Sequence, residues 1–333
     1  MHQAGKITSH AAITAIGSYV PERVLTNSDL EQMVETSHEW IVQRTGIVER
    51  RIAAENEYCS DLCIAAVRNM QERYGVQLED VDYIITATSS PDTVFPSMSA
   101  RVQAAFGIHG CGAADIQAAC AGFVSALQLA NGLLLSGMHR KILVIGAETL
   151  SKITDYTDRT TCILFGDGAG AVIVERTNEA GSFIASAVST DGDSGHHLYR
   201  SALSDAISGV PITTNDKIIQ NGREVYKWAV TSVTSGVKHL LEAAELATGQ
   251  IDWFIPHSAN LRMIESICER TGIPLERTLY SLVHYGNTSA ASIPLALDLA
   301  IQDNRIDKGQ TILLYGFGGG LTQSGLILRW LLP

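Results

Sequence analysis

Short apolar runs alternate with longer amphipathic stretches along the chain, the pattern of strands interleaved with helices. Residues 12–16 read as a strand, with a turn at Pro21 and a helix from Asn27. Thr36-Ser-His-Glu39 has the spacing of a capping box and opens a short helix that sets Trp40 and Arg44 one turn apart. Ser60 reads as the cap of an amphipathic helix stopping at Gly75, residues 82–88 as a buried strand, and Phe95-Pro-Ser-Met98 as the lead into a helix ending at Gly107. Asp115-Ile-Gln-Ala-Ala-Cys-Ala-Gly-Phe123 then hands Cys120 from a short strand to the first turn of a helix that is apolar almost all round and therefore buried. Further on come a strand at 141–146, a glycine-rich hairpin at 165–175, a strand near Phe183, and a polar surface loop at 191–215. A helix over 222–247, a strand at 252–257, helices from Asn260 and Thr288, and strands at 311–316 and 326–330 complete the pattern.

Laid over itself, the chain repeats. Asp82-Tyr-Ile-Ile85 matches Asp252-Trp-Phe-Ile255, Ala126-Leu-Gln-Leu-Ala130 matches Ala296-Leu-Asp-Leu-Ala300, and Ile142-Leu-Val-Ile-Gly146 matches Ile312-Leu-Leu-Tyr-Gly316, all at an offset of 170 positions. One constant offset through three elements in the same order implies a duplicated α/β half, with residues 1–178 forming the first and 179–333 the second. Cys120 falls opposite Ala290, so only one of two equivalent central helices carries a thiol.

Composition narrows the function classes. A chain of 333 residues that is 46% hydrophobic can bury a large core, and its formal charge of −11 argues against a phosphate-reading surface. The six cysteines are scattered, with no CxxC pair and no His/Cys ladder at metal spacing, so no metal site is expected. No signal core and no run of about 18 apolar residues is present, which points to a cytoplasmic protein.

Candidate chemistry sits where strands end and helices begin. Read alone, Cys120 is either a small apolar filler or a nucleophile whose thiolate is favoured by the N–H groups and dipole of the helix it opens. His257 in Ile-Pro-His257-Ser-Ala-Asn260 is either structural or catalytic, and Asn287 before the twin helix is either an N-cap or a site residue. Tyr315-Gly-Phe-Gly-Gly-Gly320 lets backbone N–H groups approach a ligand, although glycine turns also occur without one. Gly166-Asp-Gly-Ala-Gly170 lacks dinucleotide-loop spacing and runs into a strand, and no P-loop or Gly-x-Ser-x-Gly elbow is present.

Together these residues resemble β-ketoacyl-acyl-carrier-protein synthase III, a thiolase-fold condensing enzyme family. The resemblance runs over nearly the whole chain, through Thr36-Ser-His-Glu-Trp-Ile-Val-Gln-Arg-Thr-Gly-Ile47, Ala118-Ala-Cys-Ala-Gly-Phe123, Asp158-Arg159, Phe165-Gly-Asp-Gly-Ala-Gly170, Asn221-Gly-Arg-Glu-Val225, His257-Ser-Ala-Asn-Leu-Arg262, Gly286-Asn-Thr-Ser289 and Gly316-Phe-Gly-Gly-Gly320. It implies a duplicated five-layer α-β-α-β-α fold, and a decarboxylative condensation of an acyl-CoA primer with malonyl-acyl-carrier protein. Cys120 would be the nucleophile, with backbone N–H groups of Cys120 and Gly319 as oxyanion hole, and His257 and Asn287 as neutral donors to an enolate oxygen. It further implies that Trp40, Arg44, Arg159, Gly222 and Asn260 line the CoA and pantetheine path, and that Phe95 closes the acyl pocket across a homodimer interface. The acidic carrier protein would meet a basic patch at Arg223, Lys227 and Arg262, and no cofactor is implied beyond the CoA thioester substrate.

Neighbouring activities are separated by single positions. The glycine loop lacks the second cysteine of thiolases, and Asn287 stands where elongating synthases carry a second histidine. The departures from the family pattern are His38, Gln220, and Gln323 with Ser324, the glutamines expected near the acyl or pantetheine channel. They keep open a starter-unit synthase or acyltransferase of a natural-product pathway.

Overall fold

The computed structural model describes residues 3–177 and 181–332. The expected boundary between the halves, at 178–179, lies outside the described residues. Two five-stranded sheets carry the architecture. The first uses β2 (Ala11–Tyr19), β3 (Tyr83–Ala87), β4 (Gly112–Ile116), β5 (Lys141–Thr149) and β6 (Asp167–Arg176), in spatial order β2-β6-β5-β3-β4. The second uses β1 (Gln3–Lys6), β7 (Phe183–Thr190), β8 (Trp253–Pro256), β9 (Thr311–Gly318) and β10 (Thr322–Arg329), in order β1-β7-β10-β9-β8. β3 runs parallel to β5 as β8 does to β9, while β6 and β10 lie antiparallel to their neighbours. β1, from the start of the chain, pairs with β7 and so belongs to the second sheet.

Helix polarity sorts the layers. α3 (Gly122–Leu135) and α6 (Ser292–Gln302) have little polar face, and they lie between the sheets. Phe123, Leu127 and Leu134 pack there with Val144 and Val172 of one sheet and Leu314 and Leu326 of the other. The outer helices are amphipathic. α1 (Cys59–Tyr74) and α2 (Met98–Phe106) lay Leu62, Val67, Met70 and Val102 on the first sheet. α4 (Gly222–Ala244) and α5 (Leu261–Thr271) bury Val230, Val233, Ile264 and Ile267 on the second. The result is five layers, α-β-α-β-α, with central helices that are buried over most of their length.

The duplication extends to backbone geometry. A 3₁₀ turn, Ala119–Ala121, precedes α3, and another, Ser289–Ala291, precedes α6. Each begins on a left-handed non-glycine residue, Ala119 at φ 43° and Ser289 at φ 47°, which occupy equivalent positions in the repeat. Each turn also abuts a glycine of the opposite half. A Cβ on Gly146 would stand 2.3 Å from the Ala290 carbonyl oxygen, and one on Gly316 would stand 2.7 Å from the Ala121 Cα.

Local differences from the sequence reading have local causes. Ser37, not Thr36, caps the helix His38–Thr45 by accepting from the Trp40 N–H. Tyr58 occupies the N-cap of α1, because Ser60 already sits inside the first turn and is bonded by N–H and hydroxyl to Asp92. The glycine-rich segment is no hairpin: Gly166 precedes the single strand β6, within which Gly168 and Gly170 make room for Leu295 and Pro294 of the α6 helix. The polar stretch after Asp191 is also more ordered than expected, pairing Leu198–Arg200 with Ile218–Gln220. α4 stops at Ala244, where Glu245 turns left-handed at φ 56°.

The glycine contacts give a stability test. Gly146→Ala and Gly316→Ala press a methyl on rigid backbone and should each destabilise the fold by about 1–3 kcal/mol in denaturant unfolding. Gly132→Ala, in α3 with nothing within 4 Å of the added carbon, should instead be neutral or stabilising by up to about 1 kcal/mol.

Candidate active site

Both 3₁₀ turns and the ends of β8 and β9 meet in one cavity of about 800 Å³ counting its open mouth. Its walls are mostly apolar, from Leu150, Ile153, Leu198, Ile218, Val225 and Met263, and the polar groups converge at Cys120, His257 and Asn287. The three residues that sequence reading selected from distant segments therefore share one chamber.

Cys120 is 8% exposed on the Ala119–Ala121 turn. Gly318 is its close neighbour, since a Cβ there would lie 2.8 Å from the Cys120 Sγ. Burial pushes the thiol up to about 12, while a hydrogen bond from Ser289 pulls the other way and the buried Glu148 carboxyl adds to the rise. The helix end was expected to favour thiolate, but the sulfur is enclosed, and loss of water outweighs the dipole. In the resting site Cys120 is a thiol. Glu148 is itself pushed up to about 7 by burial, against hydrogen bonds from Ser90 and the Ser89 N–H.

His257 follows the last residue of β8, and its N–H donates to the Tyr315 carbonyl of β9 at 2.8 Å, which fixes where the ring enters the cavity. The ring meets the edge of Phe317 at 5.3 Å between centroids, and Nδ1 lies 2.8 Å from the Ser292 hydroxyl. Burial brings its pKa down to about 3, so the imidazole is neutral at physiological pH.

Asn287 is fixed through its backbone. Its N–H donates to the Leu164 carbonyl at 2.8 Å, and its carbonyl accepts from the Gly166 N–H at 3.0 Å. Arg50 is fully buried and anchors that segment from behind, donating to the Ile163 carbonyl and to Asn27. Gly286 permits the approach at φ 69°, where a Cβ would lie 2.8 Å from the Leu164 carbonyl oxygen. The Asn287 Oδ1 accepts from the Ser289 N–H at 2.9 Å, which leaves its amide NH₂ as the free donor.

The other expected residues divide. Gly319, Asn260 and Gln220 line the cavity. Trp40 lies outside it, half-buried and flanked by Arg44 at 5.8 Å and Arg159 at 5.2 Å. Gly222 and Arg223 line a separate surface hollow that shares the Tyr199 and Gln220 wall with the cavity. Phe95 is 84% exposed and lines no part of the cavity within this chain. Lys227 and Arg262 are exposed but paired with Glu224 and Glu265 at 2.8 and 3.0 Å. Gln323, expected near the channel, is instead buried beside Ser324: Gln323 accepts from the Tyr315 hydroxyl and Ser324 donates to Gln128. Gln323 thus pairs within the second sheet, and Ser324 pairs with the central helix α3. Among the described residues no group of three or more His, Cys, Asp or Glu could hold a metal ion, and no helix is long and apolar enough to cross a membrane.

Sequence reasoning missed Ser289, Ser292, Glu148 and Gly318. Gly318 lies inside the glycine loop already singled out, and Ser289 is the counterpart of Ala119 in the repeat; Ser292 and Glu148 owe their places to tertiary contact.

A duplicated five-layer core with these residues around its pseudo-twofold is the thiolase fold. Family models agree, the one for 3-oxoacyl-[acyl-carrier-protein] synthase III matching residues 114–192 and that for its C-terminal part residues 241–330. A β-ketoacyl-[acyl-carrier-protein] synthase III 2 of Halalkalibacterium halodurans is 58% identical over 325 residues, covering 98% of both chains. That of Bacillus subtilis is 58% identical over 322 residues, covering 97% of this chain and 99% of its own. The crystal structure of the Thermus thermophilus β-ketoacyl-[acyl carrier protein] synthase III superposes with a TM-score of 0.91 at 44% identity, covering 96% of this chain and 99% of that one. The chain belongs to the β-ketoacyl-acyl-carrier-protein synthase III family.

Desolvation of Cys120 sets a measurable pH dependence. With its pKa raised to about 12, the thiolate fraction, and with it the rate of iodoacetamide alkylation, should climb about tenfold per pH unit from 7 to 10. A plateau below pH 8 would show that the helix end outweighs burial.

Proposed function

We propose that the chain catalyses decarboxylative condensation of an acyl-CoA primer with malonyl-acyl-carrier protein, giving the 3-oxoacyl-acyl-carrier protein that begins fatty-acid synthesis. The observation that carries this reading is the meeting of Cys120 with a neutral His257 and a donor-presenting Asn287 in one largely apolar cavity. A hydrolase has no need of the free Asn287 amide donor. An enolate wants hydrogen-bond donors.

Cys120 sulfur attacks the thioester carbonyl of the primer, and the N–H groups of Cys120 and Gly319 hold the oxyanion until CoA leaves. The malonyl thioester then loses CO₂, and His257 and Asn287 hold the enolate oxygen while its carbon attacks the acyl group on Cys120. The apolar wall from Leu150 to Ile218 suits an acyl chain. Trp40 with Arg44 and Arg159 offers flat faces to the CoA adenine, and Gly222 and Asn260 flank the pantetheine path. The exposed Phe95 is assigned to the acyl pocket of a second copy in a homodimer. Arg223, Lys227 and Arg262 are assigned to the carrier protein, whose acidic groups must compete with Glu224 and Glu265. The two halves, 1–178 and 179–333, contribute the thiol and the His/Asn pair respectively.

Cys120→Ala should take no radiolabel from any acyl-CoA, and retained labelling would overturn the nucleophile assignment. Asn287→Ala should still take the label but decarboxylate malonyl-acyl-carrier protein at least ~10²-fold more slowly, and His257→Ala should lose decarboxylation to a similar degree. Unchanged decarboxylation in either variant would remove that residue from the enolate site.

A further inference from the structure

The Ser292 hydroxyl lies at the back of the His257 ring, wholly buried at the first position of α6. Its oxygen makes three short contacts: 2.8 Å to His257 Nδ1, 3.3 Å to the Ser258 N–H, and 2.8 Å to the Ser289 carbonyl oxygen. Each contact needs one hydrogen. Ser258 supplies its own. The Ser289 carbonyl has none to give, so the single hydroxyl hydrogen of Ser292 must point there. The hydrogen between the Ser292 oxygen and the ring can then belong only to Nδ1. The first half holds Gly122 at the equivalent position, so only one side of the pseudo-twofold has this device.

We propose that Ser292 is a positioning residue that holds His257 in the Nδ1–H form, so that the bare Nε2 faces the cavity and takes the proton of Cys120. The step balances without a further reagent. The S–H pair forms the new sulfur–carbon bond while the proton moves to Nε2; the carbon–sulfur bond to CoA breaks with its pair left on the CoA sulfur, which collects that proton. A buried thiol facing a neutral base is thereby made reactive only when substrate is present. In the second half-reaction the malonyl carboxylate draws a solvent proton onto Nε2, which supplies the donor that the enolate oxygen requires. That proton passes to the Cys120 sulfur as the 3-oxoacyl thioester departs, and it is the one proton the overall condensation consumes.

The inference rests on the proposed condensation for its catalytic meaning but not for its tautomer, and the experiment separates them. Nitrogen-15 NMR of the full chain labelled at histidine, with His257→Gln to assign the ring, should show a protonated Nδ1 and an unprotonated Nε2. A protonated Nε2 in the resting protein would overturn the proposal. In rapid-quench experiments with radiolabelled acyl-CoA, Ser292→Ala should lose the fixed tautomer and acylate ~10²-fold more slowly at saturating primer, with half-saturation unchanged. Ser292→Thr, which keeps the hydroxyl, should stay within a few-fold of the parent. Parent-like acylation by a folded Ser292→Ala would sink the idea; should that variant not fold, the spectra of the parent and of Ser292→Thr decide. If no acyl-CoA labels the parent, the condensation reading fails while the spectra still settle the tautomer.

Discussion

Two strands can approach the opposite half of this molecule only because each carries a glycine where the other half's 3₁₀ turn crosses. Gly316 of β9 takes the backbone of Cys120 and Ala121, and Gly146 of β5 takes that of Ala290. Packed interiors leave no room to move either turn by the width of a methyl. The same contact that joins the two sheets through α3 and α6 therefore fixes where the thiol stands. The left-handed residues that open the turns, Ala119 and Ser289, are held by this enclosure on both sides of the pseudo-twofold.

Desolvation then gives each polar group its character. The apolar chamber that raises the Cys120 thiol also keeps the resting His257 ring neutral. Both groups are neutral at rest, so nothing in the cavity forms a standing ion pair that an acyl chain would have to displace. On the proposed mechanism, reactivity comes from proton movement on contact with substrate, and Ser292 behind His257 fixes which ring nitrogen takes that proton. Asn287 is placed by a different route, through backbone pairing with the segment that Arg50 anchors. The geometry of the candidate site depends in part on a buried residue, Arg50, that does not line the cavity.

The surface is less resolved into roles than the interior. The indole of Trp40 lies between two guanidinium groups, and the hollow beside Gly222 shares a wall with the cavity through Tyr199 and Gln220. Two of the three basic residues assigned to the carrier protein are already paired to carboxylates. Exposed ion pairs of this kind hold weakly, and a partner presenting several acids can replace them.

Periodicity and repetition were enough to place most elements. Apolar runs such as residues 141–146 read as buried strands because they are, and the 170-residue offset anticipated even the equivalence of Ala119 and Ser289 in backbone shape. The family resemblance singled out Cys120, His257 and Asn287, each of which the residues alone left between a structural and a chemical role. What failed was anything set by neighbours distant in the chain. Gln323 looked like a channel residue until its amide was found bonded to Tyr315, and the helix end seemed to ionise Cys120 until enclosure raised its pKa instead. Ser292 had no local signature at all. A sequence records which hydrogens and hydroxyls exist; only the fold decides which of them face each other with water excluded, and that exclusion keeps the thiol and the imidazole neutral at rest.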